Sequence, residues 1–176
     1  MELTPVQQKF VLHWGEMGQK WGINRTVAQI HALLYISAKP LDAEEIAGTL
    51  GVARSNVSNS LRELQGWGIV KVVHVMGDRR DHYESLKDVW EMFRVILDER
   101  RRRESDPTLH LLRECVAELD RPAQKDAHTR ERLAKMLELF EIMTHWYAQV
   151  RKLPNPVLSR VLKLPERVAK VLGGKG

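Results

Sequence analysis

The stretch LDAEEIAGTLGVARSNVSNSLRELQGWG, residues 41–68, carries the signals of two short helices separated by a tight turn. Asp42 is a good N-cap, and a glutamate three positions later completes a capping box that starts a helix over about 43–50. Gly51 then allows a sharp turn, and a second helix is predicted from about 54 to 65. This order of elements predicts a helix-turn-helix unit.

A ribbon of two short strands is predicted immediately after this unit. Residues 69–76 are rich in β-branched side chains, residues 82–86 form a second short run, and the charged segment GDRRD, residues 77–81, lies between them. In a helix-turn-helix the second helix lies in the major groove of DNA, which is wide enough for an α-helix. The ribbon would then present its basic tip to the same duplex.

The polar face of the second helix has the composition of a DNA-reading surface. Val57, Leu61 and Leu64 are predicted to face the core, which leaves short hydrogen-bonding side chains and two cations on the opposite side. Asparagine can read adenine through two hydrogen bonds, and arginine can read guanine or bind phosphate. For this helix taken alone, a polar face that is merely solvated is an equal alternative. The residues predicted to contact DNA are Arg54, Ser55, Asn56, Asn59 and Arg62.

Three segments together resemble the winged helix-turn-helix of the multiple-antibiotic-resistance regulator (MarR) superfamily, and more closely its GbsR-type repressor branch. They are WGINRTVAQIHALLYIS (21–37), LDAEEIAGTLGVARSNVSNSLRELQGWGIV (41–70) and VMGDRRDHYES (75–85). The resemblance extends from about Thr4 to about Leu119. Many relatives have a serine N-cap where this chain has Ala53, which cannot cap, so the start of the second helix is predicted only to within a residue or two.

The resemblance implies a mainly α fold with a small two-stranded β-wing, flanked by N- and C-terminal dimerisation helices. It implies a homodimer that binds double-stranded DNA, with half-sites about 34 Å or roughly 10 base pairs apart. Relatives carry an Asp-x-Arg pattern in the wing, matched here by Asp78 and Arg80. Arg79 and Arg80 are expected to reach the minor groove or its flanking phosphates, and Asp78 to orient an arginine.

Four regions follow from this interpretation. Residues 1–22 form an N-terminal dimer arm, 23–86 the winged helix-turn-helix, 87–152 a helical dimerisation region, and 153–176 a basic amphipathic tail. A long helix from about 126 to 151 is predicted inside the third region. Its predicted inward side chains are Leu133, Met136, Leu137, Phe140, Met143 and Tyr147.

A small-molecule effector is a further implication, because GbsR-type relatives respond to ligands such as choline or glycine betaine. Aromatic cages suit quaternary ammonium groups. Trp14, Trp21 and Trp90 fall where the helical arms should meet the winged domain, and they are the candidate effector-binding residues. Core packing is the stronger alternative for each of them, because apolar stripes at helical spacing usually form core.

The net charge of the whole chain suggests a nucleic-acid partner, but the charge of the predicted DNA-binding region does not. The net charge is +5, but residues 21–86 carry seven basic and seven acidic side chains and are neutral. A winged-helix protein-interaction module without specific DNA binding is therefore the alternative to a ligand-responsive repressor.

No nucleotide-binding or hydrolase motif, metal-ligand spacing or membrane-length apolar run is present in the sequence, so we expect no enzyme, cofactor, metal site or membrane partner. The single cysteine, Cys115, and the lack of a signal-peptide pattern indicate a cytoplasmic protein.

Overall fold

Helices alternate with three short strands in the computed structural model, which describes residues 2–121 and 126–162, with backbone alone at 159–162. The helices are α1 (Pro5–Lys20), α2 (Arg25–Ile36), α3 (Ala43–Leu50), α4 (Arg54–Gly66), α5 (Val89–Arg100), α6 (Asp106–Leu119), α7 (Ala127–Arg151) and α8 (Asn155–Leu162), with a π-helical turn at Arg101–Ser105; the strands are β1 (Leu41–Asp42), β2 (Val70–His74) and β3 (Asp81–Ser85). The chain divides into two units, Met1–Glu99 and Arg100–Gly176. Of the basic tail predicted over 153–176, residues 163–176 lie outside the described residues.

The helix-turn-helix forms where the capping pattern predicts it. One side-chain oxygen of Asp42 accepts from the amides of Glu44 and Glu45, at 2.8 Å each, and the Glu45 carboxylate accepts from the Asp42 amide at 3.0 Å. Gly51 ends α3 in the left-handed conformation, with φ of 63°, which a residue without Cβ adopts at little cost. The predicted capping box and turn are confirmed.

The wing is an antiparallel sheet with strand order β1-β3-β2. β2 and β3 form the predicted ribbon, and β1 adds two residue pairs, Leu41 with Tyr83 and Asp42 with His82. The mainly α fold with a β-wing is therefore confirmed, but the sheet has three strands where two were predicted. A strand of two residues is too short to show an alternating pattern, and β1 exists because it pairs with the free edge of β3.

The first unit has one hydrophobic core that joins the helix-turn-helix to its neighbours. α1 contributes Val11, α4 contributes Val57 and Leu61, and α5 contributes Met92. α2 supplies the largest share, with Val27, Ile30, Leu33 and Leu34 all buried. The Lys87 amine closes α2 by donating to the carbonyls of Leu34 and Ser37, at 3.2 and 3.0 Å. These carbonyls would otherwise lack a partner at the helix end.

Two glycines let α1 approach α2 closely. A Cβ at position 18 would lie 2.4 Å from the Cβ of Ala28, well inside contact distance. A Cβ at position 15 would lie 2.6 Å from Cγ of Gln29, which is a flexible side chain. The Gly18 contact is therefore the tighter constraint on how these two helices pack.

His31 on α2 is a buried titratable group. It is 5% exposed, and its Nε2 has no hydrogen-bond partner within the described residues. Burial lowers the pKa of His31 from 6.5 to about 4, because the charged imidazolium is poorly solvated there.

Acidification below pH 6.5 should therefore destabilise the fold through His31. The unfolded chain takes up a proton at His31 near pH 6.5, whereas the folded chain does so only near pH 4. Between these pH values, protonation therefore stabilises the unfolded state relative to the folded state. The free energy of unfolding should fall by up to about 1.4 kcal/mol per pH unit in this window, or about 3 kcal/mol in total. Urea unfolding of the wild type and of His31→Leu at pH 7, 6 and 5 measures this. The replacement should flatten the profile, and two parallel profiles would contradict the assignment.

The second unit is built on the packing of α6 against α7. The side chain of Arg113 donates to Glu141, with Nη2 to Oε1 at 2.9 Å, and the Arg101 guanidinium lies 5.6 Å from the centre of the Tyr147 ring. α7 has no fully buried residue, although Leu133, Leu137, Phe140 and Tyr147 are half-buried. Met136 and Met143 were predicted to face inward, but they are exposed in this chain. Within the described residues, no helix combines the length and apolar composition needed to cross a membrane.

Candidate nucleic-acid interface

The outward surface of α4 carries the five side chains that the sequence predicts for DNA contact by the second helix. Val57, Leu61 and Leu64 are buried, which fixes the rotation of the helix on its core. The opposite surface is therefore polar, and its residues are exposed: Arg54, Ser55, Asn56, Asn59 and Arg62.

Hydrogen bonds within the domain orient some of these side chains, whereas others make none among the described residues. Arg54 donates from Nε to Glu44 Oε1 at 2.9 Å, which ties the start of α4 to α3. Arg62 donates from Nη1 to Asn59 Oδ1 at 3.2 Å, which leaves the amide nitrogen of Asn59 able to donate to a base edge. The side chains of Ser55 and Asn56 make no hydrogen bond within the described residues.

The start of α4 has no side-chain cap. Ala53 is the N-cap, as its sequence position predicts, and no side chain among the described residues accepts from the first amides of the helix. The helix begins at Arg54, so Ser55 does not replace the missing cap. The amide groups at this end are available to an acceptor from outside the chain.

The two adjacent arginines of the wing have different environments. Arg80 donates from Nε to both Asp78 oxygens, at 3.0 and 3.1 Å, and from Nη1 to Asp42 Oδ2. Its backbone amide also donates to Asp78 Oδ1 at 3.0 Å. Arg79 is exposed and makes no ion pair within the described residues. Gly77, with φ of 84°, provides the turn that places both arginines at the tip.

Charged and titratable groups form a compact cluster around Arg80, where the loop of the wing meets the start of α3. Hydrogen bonds from Arg80 hold the pKa of Asp78 well below its usual range, and the same bonds raise the pKa of Arg80. His82 is buried behind them, with Nδ1 at 3.0 Å from the Arg80 carbonyl oxygen. Asp42, Glu45 and His82 bring atoms of metal-ligand type within 4.8 Å of one another. The carboxylates of Asp42 and Glu45 are already engaged in the capping box, so the cluster fits a hydrogen-bonded joint better than an ion site.

The three candidate effector-binding tryptophans are only partly brought together. The rings of Trp14 and Trp21 meet edge to face with centroids 6.2 Å apart, and Phe10 adds a third ring 5.5 Å from Trp14. Trp90 makes no ring contact with them within the described residues. Trp14 packs against the core, whereas Trp21 is 42% exposed.

Comparisons with known proteins agree with this geometry. Residues 21–81 match the model of the MarR family. The chain is 23% identical to the HTH-type transcriptional repressor OpcR of Bacillus subtilis over 126 residues, which is 72% of this chain and 68% of that protein. It is 27% identical to the putative HTH-type transcriptional regulator YvaV of Bacillus subtilis over 94 residues, about half of each protein at 52% and 53%.

A solved structure described as that of a transcriptional regulator shares the fold. Its TM-score is 0.65 at 21% identity, and the alignment covers 84% of this chain and 96% of that one. The family match begins just before α2 and ends at the first residue of β3, so it contains the whole helix-turn-helix and the tip of the wing. Residues 21–81, with the helix-turn-helix and the start of the wing, are thus the part of this chain that is similar to the MarR family.

Proposed function

We propose that this protein is a sequence-specific DNA-binding transcriptional regulator, acting as a ligand-responsive repressor that binds a pseudo-palindromic operator as a homodimer. The observation that carries the proposal is the outward surface of α4, where Ser55, Asn56 and Asn59 lie between two arginines and beside a basic wing tip. Short amide and hydroxyl side chains on an exposed helix can read base edges in the major groove. The names of the two bacterial relatives, a repressor and a putative regulator, point to the same role.

The protein-interaction alternative is not favoured by the character of this surface. Protein interfaces have an apolar, aromatic-rich centre. The large exposed hydrophobic side chains of the described chain include none on α4. Amides, hydroxyls and cations are instead the groups that bases and phosphates require.

The four predicted regions have separate roles in this proposal. Residues 23–86 read DNA, and residues 1–22 and 87–152 supply the dimer contacts. Support for the dimer comes from α7, which exposes an apolar stripe of Met136, Leu139, Ile142, Met143 and Trp146. The basic tail, residues 153–176, would pack on the dimer, add nonspecific affinity for DNA or contact an anionic membrane surface, and the sequence favours the first two over the third. The proposed role involves no catalytic step, and we expect the protein to act in the cytoplasm.

The effector and the GbsR-type assignment rest on the resemblance of the quoted segments. Of the three candidates, Trp14 and Trp21 form one aromatic wall with Phe10, and Trp90 would have to reach it in another conformation. Calorimetric titration with choline, glycine betaine and an unrelated amine tests this. Absence of heat with all three would remove the quaternary-ammonium proposal and leave the DNA-binding role untouched.

Binding to DNA from upstream of the protein's own gene tests the main proposal. We expect salt-sensitive binding in an electrophoretic shift, with Asn59→Ala costing roughly 1–3 kcal/mol on the specific site because one amide readout of a base is lost. Gln65→Ala removes an amide from the far end of the same helix and serves as the matched control. If the wild type shows no salt-sensitive binding, the proposal that the protein is a DNA-binding regulator is contradicted.

A further inference from the structure

We infer that Asp42 is a positioning residue for DNA recognition, which anchors the wing to the helix-turn-helix through Arg80 and leaves Arg79 as the wing arginine that meets DNA. The inference rests on the proposed DNA-binding function. It replaces the expectation that Arg79 and Arg80 act alike on DNA with two different roles.

Asp42 links two elements with its two oxygens. Oδ1 accepts from the Glu44 and Glu45 amides at the start of α3, and Oδ2 accepts from Arg80, which lies 38 residues further along the chain. The Asp42 side chain is only 3% exposed. A carboxylate so buried is tolerated when both oxygens are engaged, and here one oxygen serves the helix and the other serves the wing.

Within the sheet, the two residues of β1 connect the wing to the start of α3. β1 and β3 share two residue pairs, and the tip of the wing, residues 75–80, is a loop outside the sheet. Arg80 lies in that loop, where Asp78 holds its guanidinium and its backbone amide. The path Asp78–Arg80–Asp42 therefore connects the loop to the first residue before α3.

The charges around Arg80 make it a poor contact for phosphate. Its single positive charge is shared by the carboxylates of Asp78 and Asp42, and Glu45 adds a third negative charge to the same field. A phosphate that approached Arg80 would meet these carboxylates as well. Arg79, exposed and without an ion pair in the described chain, has its full charge available.

The anchor would act by ordering the wing before DNA arrives. A wing that moved freely on α3 would lose conformational entropy when both it and α4 engaged one duplex. Fixing the loop to the cap of α3 removes that cost, and it sets the distance between Arg79 and the surface of α4. Arg80 and Asp42 thus contribute to affinity without contacting DNA themselves.

The salt dependence of binding separates a phosphate contact from a positioning contact. Each neutralised phosphate contributes about 0.9 to the slope of log K against log salt. Arg79→Gln should reduce the steepness by about that amount per subunit. Arg80→Gln and Asp42→Asn should weaken binding roughly tenfold while leaving the slope unchanged, since they release a preordered loop. Fluorescence anisotropy of labelled upstream DNA over a salt series gives both quantities.

Whether Asp42→Asn weakens or tightens DNA binding distinguishes the positioning role from a purely electrostatic effect. Removing a negative charge near DNA should tighten binding if only long-range electrostatics operates. The positioning role requires weaker binding instead. Asparagine is also a good N-cap, so α3 should persist, and circular dichroism checks this. Asp78→Asn makes the same test at a residue that does not cap α3. The double variant Asp42→Asn, Arg80→Gln should bind no more weakly than Arg80→Gln alone, since both break one link.

Two results would overturn the inference. In the first, the variants Asp42→Asn and Asp78→Asn bind DNA as tightly as the wild type or more tightly. In the second, Arg80→Gln reduces the slope of log K against log salt as much as Arg79→Gln does. A wild type that does not bind DNA would remove the proposed function instead. Amide hydrogen exchange over residues 78–85, expected to be faster in Asp42→Asn, would then still measure the anchor without DNA.

Discussion

Replacing Gly18 with alanine should lower the free energy of unfolding by about 1–3 kcal/mol, the usual cost of forcing one extra carbon into a packed interface. The new Cβ would lie 2.4 Å from the Cβ of Ala28, an atom fixed directly to the α2 backbone. No rotamer change can relieve that contact, so α1 and α2 must separate. Because α1 brings Val11 to the core, that separation also loosens core packing. Gly18→Val should be worse still.

Gly48 provides a matched control for Gly18. It also lies inside a helix, but a Cβ there would meet nothing within 4 Å. Gly48→Ala should therefore stabilise the protein by about 0.5–1 kcal/mol, the ordinary gain of alanine over glycine in a helix. Urea unfolding should therefore show a lower free energy of unfolding for Gly18→Ala and a higher one for Gly48→Ala, although the chemical change is the same.

The double variant Gly18→Ala, Ala28→Gly moves the methyl group across the interface. It should recover much of the stability that Gly18→Ala loses, less the cost of a glycine inside α2, because the steric conflict disappears. Equal stability of Gly18→Ala and Gly48→Ala would show that α1 and α2 do not pack as closely as the structure has them.

The sequence predicted those parts of the fold that local rules determine. A capping box at Asp42, a left-handed glycine at position 51 and the buried pattern of Val57, Leu61 and Leu64 each act within one or two turns of chain. For that reason the helix-turn-helix and the exposed surface of α4 were predicted residue by residue. The family match over residues 21–81 then confirmed the type of unit.

Long-range contacts were the part that the sequence did not show. β1 was missed because two residues carry no period, and the role of Gly18 was missed because its partner, Ala28, lies in another helix. The difference between Arg79 and Arg80 has the same origin. Their local context is nearly identical, and only the fold brings Asp42 to one of them.

The rotation of α7 was predicted only in part, because its apolar residues extend around much of the helix. Leu133, Leu137 and Phe140 are half-buried on one side, as predicted. Met136 and Met143 belong to a second apolar side that the single chain leaves exposed. A helix with two apolar sides needs two partners, and α6 covers only one of them.

Replacing Met143 with glutamate should convert the proposed homodimer into monomers. The stripe of Met136, Leu139, Ile142, Met143 and Trp146 is 50% to 60% exposed along α7. Four of its members, at positions 136, 139, 143 and 146, have the alternating spacing of three and four that two packed helices share. A charge at position 143 would be buried without a partner in such a seam, which is strongly unfavourable.

His145→Glu is the control, because His145 is exposed on the same helix but outside the stripe. Sedimentation velocity should show a dimer for the wild type and for His145→Glu, and a monomer for Met143→Glu. The circular dichroism spectrum should be the same for all three, since position 143 is exposed in the single chain and its replacement removes no core contact.

Loss of the dimer should reduce operator affinity by at least about a hundredfold, because two linked half-site contacts then become two independent ones. The α4 surface of each monomer is unchanged, so weak binding to an isolated half-site should persist in Met143→Glu. A wild type that is monomeric in solution would contradict the homodimer without touching the reading role of α4. A dimeric Met143→Glu with full operator affinity would instead place the subunit contact elsewhere, with the exposed Val6 and Leu12 of α1 as the next surface to test.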